Sequence, residues 1–78
     1  MFKIKKRREV LVDKNNVNDV VMSATSNGVT GFRIGNCGWM KAPNCYFVVF
    51  TSTLKQYATI MEDLNNKEIK ILPESVGY

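Results

Sequence analysis

The 78-residue chain predicts an α+β fold of the ferredoxin-like βαββαβ plan: a four-stranded antiparallel sheet with two helices on one face. Two stretches have the apolar period of one-sided helices, and the stretches around them have the character of strands. The strands that this plan makes central, at 10–12 and 45–50, are apolar on both sides, whereas the expected edge strands alternate. We therefore expect one domain that spans residues 1–78.

The first half of the chain predicts a strand, a helix and a second strand. The apolar run at 10–12, in a strand that can begin as early as Phe2, is followed by a polar turn at 13–16. Residues 29–36 then alternate, as a half-buried edge strand does. Between them, apolar residues at i, i+3, i+4 and i+7 indicate a short helix that stops at Asn27-Gly28; they are Val17, Val20, Val21 and Ala24.

The second half predicts a loop, a strand, a helix and a last strand. Residues 35–44 combine glycine, asparagine and proline, which is typical of a loop or a hairpin tip. The strand at 45–50 follows. Thr53 and Gln56 have the spacing of a capping box and predict the start of the second helix. The alternating residues 68–72 predict the final strand, which Pro73 ends.

The strand at 45–50 has no polar face and predicts an oligomer. Two helices can cover only one side of the sheet, so the other side would present an apolar patch to water. A second copy of the chain is the simplest cover. The two sides of the strand are Cys45, Phe47 and Val49 on one and Tyr46, Val48 and Phe50 on the other.

Charge and composition argue against several functional classes. The net charge is +4, but five basic residues lie in the first eight positions, which leaves six basic against seven acidic residues in the remainder. We interpret the basic start as a solvated edge or terminus. No apolar segment is long enough to cross a membrane and no signal-peptide core follows the basic start, so we expect a cytoplasmic protein.

Neither catalysis nor metal binding is predicted. The chain has no histidine, and its two cysteines, Cys37 and Cys45, form no C-x-x-C pair. The carboxylates fall mainly at turns and helix ends, where solvated acids are common. We expect no enzyme, no catalytic residue, no metal site and no cofactor. Whether the two cysteines pair across the loop is left open.

The loop and its neighbours contain the candidate ligand-binding residues. Trp39 and Met40 could stack on a base or instead pack onto the sheet. Lys41 could neutralise a phosphate or remain solvated. Arg33, on the polar side of an edge strand, could form a forked hydrogen bond to a phosphate or carboxylate, or pair with an acid of a neighbouring subunit.

The stretch from Cys37 to Cys45, Cys-Gly-Trp-Met-Lys-Ala-Pro-Asn-Cys, resembles the Gly-Gly-Phe-Leu-x-x-Gly-Asn-Thr motif of the cyclic di-AMP receptor proteins in the PII-like superfamily. The resemblance covers about residues 10–74. It departs from the family at Gly28 or Val29, where those proteins carry an arginine, at Pro43, and in lacking their final hairpin. It implies a homotrimer that binds a nucleotide between subunits, with the ligand lined by Asn27, Gly28, Gly38, Trp39, Met40 and Asn44.

Three hypotheses follow for the function. The first is a homo-oligomeric, trimeric PII-like protein that binds an anionic small molecule, a nucleotide, at clefts between subunits and acts by sensing or sequestration. The second is a small phage- or mobile-element-type protein that binds and modulates a host protein. The third, which the charge distribution disfavours, is nucleic-acid binding through the basic N-terminus with stacking by Trp39.

Overall fold

The computed structural model describes residues 4–36 and 44–72 and the backbone of 76–77. Two α-helices pack against an antiparallel sheet, which confirms the predicted α+β class. Three strands of four or more residues form the sheet, and a two-residue segment pairs at one edge. The elements are β1 (Lys6–Asp13), a 3₁₀ turn (Lys14–Asn16), α1 (Val17–Ser26), β2 (Arg33–Asn36), β3 (Cys45–Ser52), α2 (Leu54–Asn66) and β4 (Val76–Gly77).

The sheet order is β2-β3-β1-β4, with each neighbouring pair antiparallel. β1 and β3 are thus central, as their two-sided apolar character predicts. Val10 pairs with Val48 and Ile34 also pairs with Val48, so these three side chains share one face. Arg33 pairs with Val49 and belongs to the other face.

Both helices pack on the face that carries Val10 and Val48, where they form the core. Val20 and Ala24 of α1 lie at the helical spacing that the sequence predicts, and the helix is completed by a turn at Asn27. Burying these aliphatic side chains stabilises the fold by about 1.5–3 kcal/mol for each large one. The core residues are Val10, Val12, Val20, Ala24, Val29, Val48, Phe50, Ile60 and Leu64.

The predicted strand at 68–72 is wrong. Glu68 has φ 59°, and the Ile69 amide donates to the Leu64 carbonyl at 3.0 Å, so this segment first closes α2. Ile69 and Ile71 alternate because they pack against the core, and the segment reaches β1 at Leu72, whose amide donates to the Leu11 carbonyl at 2.9 Å. The final strand pairing is instead made by the backbone of Val76–Gly77 beside β1.

The basic N-terminal run is not simply solvated. Lys6, Arg7 and Arg8 belong to β1, and Arg8 is only 4% exposed. Its guanidinium lies 4.9 Å from the centroid of the Tyr57 ring, and Nη2 donates to the Ser52 carbonyl at 3.4 Å. Arg8 therefore helps to fix β1 against α2 and the end of β3.

The second face of the sheet has no helix on it. We call it the open face; Leu11 and Cys45 on it are buried, whereas Phe47 and Val49 are only partly so. The open face consists of Arg7, Glu9, Leu11, Asp13, Arg33, Gly35, Cys45, Phe47, Val49 and Thr51.

In the part of the chain that the structure describes, no helix has both the length and the apolar character needed to span a bilayer.

Candidate functional site

A hollow of about 530 Å³ lies at the end of the sheet where β1 and β2 begin and β3 ends. We call it the arginine hollow, because Arg7 and Arg33 approach it from the two strands that flank β3. Arg7 pairs with Thr51, and Arg33 pairs with Val49. The lining residues are Arg7, Thr30, Gly31, Phe32, Arg33, Val49, Phe50 and Thr51.

The register separates the two arginines by a distance that one small anion can bridge. They lie on the two strands that flank β3, opposite β3 residues that are two positions apart. Two strand spacings and two residues of rise place their Cα atoms about 12 Å from each other. Each arginine side chain is long enough to cover half of that distance. Arg33 is exposed, and an Arg7 Nη2 donates to Glu9 Oε2 at 3.3 Å on the surface. An exposed pair of this kind is weak and can be exchanged for a ligand.

Beside this charge the hollow has one partly buried aromatic residue, Phe32, which rests on the buried Phe50. The rings of Phe32 and Phe50 meet edge to face, with centroids 6.1 Å apart and an interplanar angle of 62°. Thr30 and Thr51 add hydroxyl groups to the lining, and Gly31, at φ 81°, leaves its backbone uncovered. The hollow thus offers cationic, hydrogen-bonding and apolar surfaces within one small space, as a site for a charged organic molecule requires.

The turn that leads into the hollow is anchored by Gln56 of α2. Gln56 Nε2 donates to the Asn27 carbonyl at 2.8 Å, and Gln56 Oε1 accepts from the Thr53 amide at 2.9 Å. The backbone N–H of Gln56 in turn donates to Thr53 Oγ1 at 3.1 Å, which completes the predicted capping box. The end of α1 and the start of α2 are thereby held together.

The predicted ligand-binding residues divide between two ends of the sheet. Arg33 lines the hollow, and Asn27 and Gly28 form the adjacent turn. Asn27 Nδ2 donates to the Ser23 carbonyl at 2.8 Å, and Gly28 has φ 86°, so both residues serve to end α1. Asn44 lies at the opposite end of β3, where its carbonyl accepts from the Lys14 amide at 2.7 Å.

Four other predicted ligand-binding residues lie outside the described residues: Gly38, Trp39, Met40 and Lys41. The sequence patterns do not predict four of the residues that line the hollow: Arg7, Thr30, Gly31 and Thr51. The basic run contains Arg7, but only the pairing of β1 with β3 places it beside the end of β3. No periodicity in the sequence carries that information, because the pairing joins residues 44 positions apart.

Two further features of the open face bear on its shape. The ring of Phe47 lies over Gly35, where an added Cβ would come within 2.5 Å of the ring carbon Cζ. The glycine therefore allows the aromatic ring to lie flat against the edge strand. Cys45 is buried and disulfide-bonded, whereas Cys37, the other cysteine of the chain, lies outside the described residues.

Comparisons by sequence give no relative: no family model matches the chain, and no curated protein matches it. In the described residues, no group of three or more histidine, cysteine, aspartate or glutamate side chains is placed to hold a metal ion.

Solved structures do share the fold. CPII, a nitrogen regulatory PII-like protein from Thiomonas intermedia K12 bound to ADP, AMP and bicarbonate, has a TM-score of 0.68 at 12% identity; the alignment covers 99% of this chain and 93% of CPII. A CPII structure bound to ADP and bicarbonate gives 0.65 at 11% identity, covering 99% and 91%. A Thermus thermophilus protein assigned as a PII-like signalling protein gives 0.61 at 9% identity, covering 92% and 85%.

These likenesses confirm the predicted resemblance at the level of the fold, while specificity for cyclic di-AMP stays a prediction. Identities of 9–12% carry information about the backbone and none about individual ligand contacts. The chain has the fold of the PII-like proteins.

Proposed function

We propose that the chain is a homotrimeric PII-like protein that binds a nucleotide, such as ADP or AMP, in clefts between its subunits. It acts by sensing or sequestering the ligand and not by catalysis. The observation that carries the proposal is the arginine hollow, in a chain whose fold is shared by CPII bound to ADP, AMP and bicarbonate.

The chemistry of the hollow suits such a ligand. Phosphate groups accept the forked hydrogen bonds that guanidinium groups donate, and Arg7 and Arg33 flank the same space. The partly buried Phe32, which packs edge to face on the buried Phe50 ring, offers an apolar surface for a base or ribose. A free phosphate would use only the first of these two features, so a nucleotide is the better fit.

The position of the hollow favours a shared cleft. It opens at the border of the open face, where Phe47 and Val49 remain partly exposed. A second copy that covered these side chains would also add a wall to the hollow. Asn44 stands about 20 Å from the hollow along β3. A ligand in contact with both Arg33 and an Asn44 would therefore take them from two different subunits.

A nucleotide panel tests the proposal directly. We expect ADP or AMP to raise the melting temperature of the protein by mass action, and titration calorimetry to give a saturable affinity. Arg33→Ala and Arg7→Ala should each weaken binding by about 10- to 100-fold, because each removes a charge-assisted contact to a phosphate. Lys67→Ala is the matched control, since Lys67 is an exposed cation at the end of α2, which packs on the side of the sheet opposite the open face.

A flat panel, or equal losses in Lys67→Ala and Arg33→Ala, would contradict the proposal. The hypothesis of a protein that modulates a host protein and the hypothesis of nucleic-acid binding both stay predictions. The first of them calls for a stoichiometric foreign partner, and the second for binding that falls steeply with salt.

A further inference from the structure

We infer that Gln56 is a positioning residue for the arginine hollow. Its side-chain amide joins the turn after α1, which leads into one wall of the hollow, to the start of α2, which follows the other wall. The inference rests on the proposed function, because it concerns the affinity of that same site. Gln56 itself is not among the residues that line the hollow.

The clamp joins two segments that are distant in sequence. The hydrogen bond from Gln56 Nε2 to the Asn27 carbonyl spans 29 residues. Asn27 and Gly28 lead into Thr30 and Gly31, which line the hollow on one side. On the other side, Thr51 lines the hollow. Two residues later, the Thr53 amide donates a hydrogen bond to Gln56 Oε1. One planar amide group therefore fixes the spacing of the two walls.

The Asn27 carbonyl needs this donor. It follows the end of α1, where the carbonyl groups have no partner within the helix. Gly28 then turns the chain at φ 86°, and its Cβ position lies 3.4 Å from Gln56 Nε2. The turn is thus held between its own helix and the Gln56 amide, and a loss of the amide would free one side of it.

Capping of α2 alone does not account for glutamine at this position. A capping box accepts glutamate as readily as glutamine, because it uses only a side-chain oxygen. The hydrogen bond to the Asn27 carbonyl requires a donor, which glutamine has and an ionised glutamate lacks. The donor is the feature that relates Gln56 to the hollow and not to its own helix.

Two variants separate the two roles. Gln56→Glu keeps the oxygen that accepts from the Thr53 amide but replaces the donor with a carboxylate that repels the Asn27 carbonyl. Thr53→Ala removes the capping hydroxyl and leaves the Gln56–Asn27 hydrogen bond in place. Lys55→Gln, at the neighbouring exposed position, changes the net charge by the same amount as Gln56→Glu and controls for repulsion of an anionic ligand.

We would measure ADP affinity by calorimetry and amide hydrogen exchange of the ligand-free protein. Gln56→Glu should weaken ADP binding by about 3- to 10-fold and speed exchange at the amides of Gly28 and Val29. Thr53→Ala and Lys55→Gln should stay within about two-fold of the wild-type affinity and leave exchange at those two amides unchanged.

Three results would overturn the inference: wild-type affinity and exchange in Gln56→Glu, an equal loss of affinity in Thr53→Ala, or an equal loss in Lys55→Gln. If the wild-type protein bound no member of the nucleotide panel, the proposed function would fail and the affinity part of the inference would fail with it. Unchanged exchange in Gln56→Glu would instead defeat the clamp while leaving nucleotide binding intact.

Discussion

Single residues shape the open face and its hollow through close contacts. Gly35 is the clearest case, because the ring of Phe47 occupies the space that any larger side chain would need. The two residues pair directly across β2 and β3. The requirement at position 35 is therefore steric and is set by a neighbour on another strand.

Gly35→Ala should lower the free energy of unfolding by about 1–3 kcal/mol, because the added methyl group displaces the Phe47 ring. In a Phe47→Leu background the same change should cost clearly less, since no ring lies over position 35. Urea unfolding of the four proteins in this double-mutant cycle gives the coupling energy. A coupling of zero would contradict the assigned contact. Gly31→Ala, with no atom within 4 Å of the added Cβ, should show no dependence on Phe47.

At the scale of elements, α2 owes its start to a complete capping box and its position to contacts with α1. Thr53 and Gln56 bond reciprocally, as the sequence spacing predicts. Near the other end of α2, Asp63 forms an ion pair with Lys67 at 3.3 Å. The Ser23 hydroxyl of α1 and the Lys67 ammonium hold the pKa of Asp63 below its usual value.

Thr53→Ala should lower the free energy of unfolding by about 1 kcal/mol, because the Gln56 amide loses its acceptor at the first turn. Thermal and urea unfolding measure this effect. Thr53→Ser, which retains the hydroxyl, should behave like the wild-type protein. A loss of equal size in the serine variant would show that the cap is not responsible.

Asp63 should make the stability depend on pH in the acid range. Because its pKa is lower in the folded than in the unfolded protein, its stabilising contribution is present above the ordinary value of 3.8 and is lost as the pH falls through the folded value. Urea midpoints measured between about pH 7 and pH 2 should therefore fall less steeply in the acid range in Asp63→Asn than in the wild-type protein. Glu62→Gln, an adjacent exposed carboxylate, is the control. Identical pH profiles for wild type and Asp63→Asn would contradict the assignment.

At the scale of the whole molecule, the asymmetry between the two faces of the sheet is the central property. The helices bury Val48 and Phe50, whereas Phe47 and Val49 on the open face stay partly exposed. Leu11 and Cys45 are already buried in the single chain, so the open face is less apolar than the sequence alone suggests. What remains is a patch bordered by the charges of the arginine hollow.

Assembly of the proposed trimer should depend on this patch. Sedimentation equilibrium should give three times the chain mass of 8.9 kDa. Val49→Lys should shift the mass toward that of the monomer while the circular dichroism spectrum is retained, because a buried, unpaired lysine in an interface is costly. Met22→Lys, at an exposed position of α1, should leave the mass unchanged. A monomeric wild-type protein would contradict the proposed trimer and its shared clefts.

The helices and their caps are specified by residues that are close together in the sequence. The spacing of Val17, Val20 and Ala24 and the pair Thr53 and Gln56 predict both helices correctly, since helix periodicity and caps are made by residues within four positions of one another. The apolar residues on both sides of 45–50 predict a central strand correctly, because the alternation of side chains across a strand is also set by neighbouring residues. The place of Arg33 on the polar side of an edge strand predicts it as a site residue, and that role stays a prediction.

Features that need residues distant in the sequence follow from strand pairing and helix packing in the folded chain. The residues at 68–72 alternate like a strand, but the amides of Glu68 and Ile69 close α2, the Leu72 amide bonds to Leu11 of β1, and the two isoleucines pack on the core. Arg7 reaches the hollow only because β1 pairs with β3 in one register, and Gln56 reaches Asn27 only because α1 and α2 lie side by side. Pairing and packing of this kind are set by the free energy of the whole fold, which short-range patterns in the sequence do not encode.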